Sequence, residues 1–259
     1  MTRFLAVLAA LSLALPAVAA PPKTVTLRRY GQSFFVAQSS AGTRVAFDPH
    51  AIDAFGKPTV QADLVLISHP HPDHTQVDQI QNRAKAKIIE GVKVQPGPGG
   101  QPRQAWNPVD EQFKDVHVRN VGVYHDQSQG LERGRVSVFI VEVDGLRVVH
   151  LGDLGHLLSD DQVRQIGPVD VLMIPVGGVY TINGEKAKEV IVQLKPKMYV
   201  IPMHYGIGPF EDLPPLDEFL DGLQLPVQRL KGTNELTIAT DFRPEKPVVV
   251  LPGWKKGGE

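Results

Sequence analysis

The chain has no cysteine. Disulfides, a lipid anchor on cysteine and thiolate metal ligands are therefore excluded, and stability rests on the core and on any bound metal. It has no excess of charge either, since 27 basic residues face 28 acidic ones, and that balance argues against nucleic acid or an acidic surface as partner. No apolar run reaches the roughly twenty residues that a membrane span needs. No internal repeat, interdomain linker or low-complexity tract divides the 259 residues, of which 42% are hydrophobic. Those figures suit one globular domain with a sizeable core.

The longest apolar stretch lies at the start. Arg3 is a minimal positive region, Phe4 to Leu15 an apolar run, and Ala17-Val18-Ala19 a small-x-small processing site. Residues 1–19 read as a secretory signal peptide followed by a single domain over 20–259. A run of about twelve apolar residues is too short to remain as a stable membrane anchor. The expected address is periplasmic or secreted.

What the chain does have is His69-Pro70-His71-Pro72-Asp73-His74, three imidazoles and a carboxylate within six residues. The run Ala62 to Ser68 before it reads as a buried strand, so the histidines begin where a strand ends. On an extended backbone residues two apart point to one side. His69 and His71 can thus approach one cation while Asp73 and His74, past the turn, reach a second. Pro70 and Pro72 fix φ between them and stiffen the loop.

Along the rest of the chain, Lys23 to Arg29, Ser33 to Gln38 and Thr43 to Phe47 read as an antiparallel meander. Val77, Ile80 and Ala84 recur at helical spacing, which predicts a helix over Thr75 to Ala86. Gln95 to Asp110, rich in proline and glycine around Trp106, reads as an irregular loop bordering a pocket. Asp115 to Tyr124 ends in His125, Arg147 to Leu151 delivers Asp153, and Met198 to Met203 ends in His204. Ser159 to Gln162 has the capping-box pattern, and Asn183 caps a second helix that Pro196 stops. Leu216 to Leu223 reads as a last short helix. Two meanders with helices interleaved imply an α/β fold of four layers, an αββα sandwich, with the strand ends converging on one edge.

The order of His69, His71, Asp73, His74, His125, Asp153 and His204, each just after an apolar strand, resembles the metallo-β-lactamase-fold superfamily. Val149 to His156, Ile174 to Gly178 and Ile201 to Tyr205 resemble its branch of metal-dependent hydrolases related to ascorbate-phosphate lactonase. The resemblance implies two divalent metal ions, zinc with manganese or iron as alternatives. His69, His71 and His125 would hold one and Asp73, His74 and His204 the other, with Asp153 bridging. Two cations at about 3.5 to 4 Å polarise a shared water to hydroxide. The implied reaction is hydrolysis of an ester, lactone or phosphoester in a small-molecule substrate, with Asp73 holding or accepting the proton of that hydroxide. A β-lactamase-like amide hydrolase and a non-catalytic metal or ligand carrier stand as alternatives, and the oligomeric state stays open. His156, three residues after Asp153, and Tyr205, next to His204, are the expected proton donors or substrate contacts. His117 and His150 read as strand residues, and Asp48 and His50 as groups that orient ligands from behind.

Overall fold

The computed structural model describes residues 22–207 and 212–253, so the leader expected over residues 1–19 lies outside the described residues. The first sheet contains β1 (Thr24–Arg29), β2 (Phe35–Gln38), β3 (Arg44–Phe47), β4 (Leu64–Ile67) and β5 (Lys87–Glu90). β6 (Val92–Pro96) and β7 (Pro102–Trp106) form a separate ribbon. The second sheet begins with β8 (Asp110–Phe113), β9 (Val116–Tyr124), β10 (Arg135–Val143) and β11 (Leu146–His150). After α1 (Asp160–Ile166) come β12 (Val171–Pro175), α2 (Gly184–Leu194), β13 (Tyr199–Met203) and α3 (Asp217–Leu220). β14 (Val227–Arg229), β15 (Glu235–Ala239) and β16 (Val248–Leu251) complete the described chain. β15 crosses back to pair with β1, giving the order β15-β1-β2-β3-β4-β5 against β14-β16-β13-β12-β11-β10-β9-β8.

Alternation along the strands decides how the layers meet. In β1, Val25 and Leu27 face inward while Thr26 and Arg28 do not. They pack with Phe35, Phe47 and Leu66 against Phe139, Val141, Val148 and Met173 of the second sheet. The opposite face of the second sheet is covered by the helices through Ile166, Ala187, Val190, Leu194 and Phe219. Both capping expectations hold. Ser159 and Gln162 bond reciprocally across the first turn of α1, and the Asn183 side chain accepts from Lys186 N–H at the start of α2.

The outer face of the first sheet is closed differently from the expectation. Residues 75–86 form two 3-10 turns, Val77–Gln79 and Arg83–Lys85, in place of a helix. Val60 accepts from Gln81 N–H and donates to Gln79 O, and the Asn82 amide pairs with both backbone groups of Ala62. Those tertiary bonds take the groups that a helix would have used, and Ile80 is still buried. The Gln95 to Asp110 stretch is largely a hairpin. Pro96 and Pro102 face each other at its outer end, where an exposed ribbon tolerates residues that cannot donate. Among the described residues no helix is long and apolar enough to cross a membrane.

Strand direction places the site. β9, β11, β12 and β13 run the same way, because β10 is antiparallel to both β9 and β11 while β11, β12 and β13 are parallel. β3 and β4 are also parallel to each other. Their carboxyl ends gather at one edge of the sandwich.

Candidate metal centre

Each side chain at that edge follows a strand directly. His69, His71, Asp73 and His74 follow β4, His125 follows β9, Asp153 follows β11 and His204 follows β13. Several of these exits turn through left-handed backbone, at Asp48 (φ 44), Gly152 (φ 53) and His204 (φ 53). Two glycines allow the loops to close on each other. A Cβ on Gly155 would lie 2.2 Å from the carbonyl carbon of His125, and one on Gly177 would lie 2.1 Å from the carbonyl oxygen of His204. Any larger residue there would push a ligand-bearing loop outward.

The structure brings His69, His71 and His125 together as one donor set and Asp73, His74, Asp153 and His204 as another. Asp153 Oδ2 lies between them, 3.7 Å from His69 Nε2, 3.4 Å from His125 Nε2, 3.2 Å from His74 Nε2 and 3.0 Å from His204 Nε2. All but His71 and Asp73 are buried, and those two open toward the cleft.

Behind the cluster, Asp48 accepts from the backbone N–H and hydroxyl of Ser68 at 2.7 and 2.6 Å and from His74 Nδ1 at 2.9 Å. With its hydroxyl hydrogen committed to Asp48, Ser68 Oγ accepts from His69 Nδ1 at 2.9 Å. Both imidazoles are therefore held by Nδ1 and direct Nε2 into the cluster, the arrangement that metal-ligating histidines use. Asp48 thus has the supporting role expected of it. His50 does not, since its Nε2 donates to Tyr30 O and its Nδ1 accepts from Ile52 N–H.

The electrostatics favour a cation. Burial works against charge on Asp153, yet the facing His204 and His74 hold its carboxyl well below the usual range. Burial likewise opposes charge on Asp73, and His74 and His204 again outweigh it. Around His74 the balance is reversed, because Asp153, Asp73 and Asp48 together overcome burial and push its imidazole well above the ordinary value. His74 Nε2 is buried without a hydrogen-bond partner, 3.2 Å from both Asp73 Oδ2 and Asp153 Oδ2. The carboxylates converging on His74 Nε2 favour positive charge at that point, and a divalent ion that displaces the nitrogen's proton supplies it, so these residues fit a metal.

Residues 26–204 match the family model of the β-lactamase superfamily domain. The chain belongs to that superfamily. Its relatives include UPF0173 metal-dependent hydrolases. That of Pyrococcus abyssi is 30% identical over 197 residues, covering 68% of this chain and 81% of its own. That of Carboxydothermus hydrogenoformans is 30% identical over 203 residues, covering 69% and 84%. A crystal structure from Thermotoga maritima, assigned as a Zn-dependent hydrolase of the metallo-β-lactamase superfamily, superimposes with a TM-score of 0.65 at 31% identity, covering 88% of this chain and 98% of that one. The protein is a metal-dependent hydrolase with the α/β sandwich of the metallo-β-lactamase superfamily.

Two residues expected at the superfamily site lie elsewhere. His156 Nε2 accepts the Tyr124 backbone N–H at 3.1 Å and its Nδ1 donates to Leu157 O at 2.6 Å, so both nitrogens serve the main chain. The turn through Gly155 carries it away from Asp153, and it does not line the metal cleft. Tyr205 is buried beneath the Arg29 guanidinium, 4.7 Å from its ring centroid, and faces a different cavity. The left-handed backbone at His204 sends the two neighbouring side chains to opposite sides. His117 bonds to Asp110 and His150 to Ser33 O, as strand residues.

The cleft above the metal residues encloses about 300 Å³, and Arg133 and Tyr180 close its rim beside Pro72. Neither was legible in the sequence. Both lie on irregular loops without an apolar strand immediately before them, and the only signal was the glycine-rich character of those loops.

Proposed function

We propose that the mature chain is an exported dinuclear hydrolase that cleaves an ester, lactone or phosphoester bond. The observation that carries this reading is the position of Asp153 Oδ2, within 3.7 Å of Nε2 atoms from both donor sets. A bridging carboxylate offsets the repulsion between two cations. Two divalent ions held there, zinc as in the assignment of the Thermotoga neighbour or manganese or iron with the same donors, would supply Lewis acidity and lower the pKa of a bound water. The chain's own residues do the rest. Asp73 stays ionised and receives the Gln32 amide at 3.1 Å on Oδ2, which fixes it to accept a hydrogen bond from the attacking water. Tyr180 presents the one hydroxyl among the described cleft residues.

With His156 and Tyr205 turned away, the cleft has no imidazole outside the two donor sets, and among its described residues only the Tyr180 hydroxyl is left to protonate a departing amine. An oxygen leaving group needs no such acid when a cation stabilises it, so ester, lactone or phosphoester cleavage is favoured over amide cleavage. Export rests on the leader pattern over residues 1–19.

The test is metal analysis of the protein recovered from the periplasm, followed by lactone, phosphodiester and lactam panels. Two equivalents of metal and turnover of the first or second panel are expected. Asp153→Ala should retain the fold, lower the metal content and remove most of the activity. A fully loaded enzyme that cleaves lactams and neither of the others would falsify the reading.

A further inference from the structure

Arg133 reaches the cleft through a loop whose construction is local and complete. Asp126 is 4% exposed and accepts four backbone N–H groups, those of Ser128 and Gly130 on Oδ1 and those of Glu132 and Arg133 on Oδ2. A buried carboxylate satisfied entirely by main chain fixes the loop's shape, and its last bond, 2.8 Å to Arg133 N, sets where that side chain begins. From there the guanidinium lies 5.6 Å from the ring centroid of Tyr180, which enters the cleft from the opposite loop. Stacking on an aromatic face holds a guanidinium while leaving its N–H edge available for other partners.

Among the described residues no partner of strength engages that edge. The nearest carboxylate is that of its sequence neighbour Glu132, at 3.6 Å and 60% exposed. A pair this long and solvated contributes little. Glu132 Oε1 also accepts from Ser128 Oγ at 2.7 Å. Arg135, two residues on, is different, because it donates to Gln104 O and lies 4.6 Å from the Trp106 ring centroid. Of the two, only Arg133 lines the metal cleft. The cleft continues past Arg133 and His71 into a groove of about 580 Å³ along the β6–β7 ribbon, so a substrate has room to extend beyond the reacting bond.

We propose that the non-reacting part of the substrate carries an anion, a carboxylate or a phosphate, which the Arg133 guanidinium binds against the Tyr180 ring. This rests on the hydrolase reading of the same cleft and names its substrate class. A planar fork of donors recognises both anions in a bidentate manner, whereas a lysine at this place would act as a point charge. The rim also shares its cleft with the carboxylates Asp73 and Asp153, so a fixed positive charge at Arg133 offsets their repulsion of an anion bound there.

The experiment uses the full metal-loaded protein and Arg133→Gln, whose melting temperature and metal content serve as controls because Arg133 belongs to neither donor set. Calorimetric titration with succinate and with inorganic phosphate should give at least a tenfold weaker affinity in the variant for the anion that the site takes, tenfold being about 1.4 kcal/mol. The same class should appear in turnover. The preference for mono-4-nitrophenyl succinate over 4-nitrophenyl acetate should fall at least tenfold in the variant, chiefly through KM, if the carboxylate is the ligand. Equal binding of both anions to the two proteins overturns the proposal, whatever the turnover. Weakened binding with no turnover of any ester, lactone or phosphoester leaves the anion site standing and overturns the hydrolase reading instead.

Discussion

Single side chains in this protein act in relays. Asp48 touches no substrate, yet through Ser68 and His74 it sets the direction of two imidazoles at once. His50, two residues later, is buried for a structural purpose, linking Tyr30 O to Ile52 N–H. Burial is the main reason that its pKa falls from 6.5 to about 4. Between those values the unfolded chain binds a proton that the folded chain refuses, so this contribution to stability is complete above about pH 6.5 and is lost as the pH falls toward 4. For a single group with this shift the loss between pH 7 and pH 5 is about 2 kcal/mol. Urea unfolding at the two pH values should therefore show a wild-type decrease larger by about that amount than in His50→Gln, and parallel decreases would rule His50 out. The residues that the structure gathers into the two donor sets were legible at this scale because each follows a strand whose apolar run is itself visible. His156 was misplaced because three residues of separation mean little across a turn like that at Gly155, and Arg133 was missed because its position derives from how Asp126 folds a loop.

At the level of elements, strands and capped helices could be read closely while irregular segments could not. The capping box at Ser159 and the Asn183 cap are local signals, and local signals survive folding. The helix expected over 75–86 was overruled by contacts from outside the segment, where Val60 and Ala62 take backbone and side-chain bonds from Gln79, Gln81 and Asn82. The ribbon β6–β7 was obscured by its prolines, which are harmless at an exposed end, and its Trp106 Nε1 anchors it by donating to Val123 O and Val136 O. Loop closure is the element-scale property that the metal centre depends on most. Gly155→Ala places a methyl group within 2.2 Å of the His125 backbone, where no flexible side-chain end can yield. The loop must shift, and His125 with it. Metal titration of this variant should show weakened binding at the His69, His71 and His125 set, with the second set less affected. Two unaltered binding events would show that the loop has slack.

The whole molecule is two sheets joined by a large apolar interface and, at one edge, by the ligand cluster. The three histidines after β4 come from the first sheet, whereas His125, Asp153 and His204 come from the second. Both the His69, His71, His125 set and the Asp73, His74, Asp153, His204 set therefore draw on both sheets, and a metal bound in either would link them across the edge where their loops leave the core. Without cysteine, no covalent bond can share that task. Metal that binds the folded chain and not the unfolded one stabilises it by RT ln(1 + [M]/Kd), about 2.7 kcal/mol at a hundredfold excess over Kd. In a domain of this size that corresponds to a Tm shift of roughly 5 to 10 °C. Thermal unfolding after chelation should show a decrease of that order, reversed on adding back the metal. The dependence on both sheets gives the prediction its sharper form. His71→Ala on the first sheet and His125→Ala on the second should each shrink the metal-dependent part of Tm, whereas His117→Ala, on β9 but outside either donor set, should leave it intact. If only substitutions on one sheet reduce it, the ions are held by that sheet alone and the cross-sheet linkage is wrong.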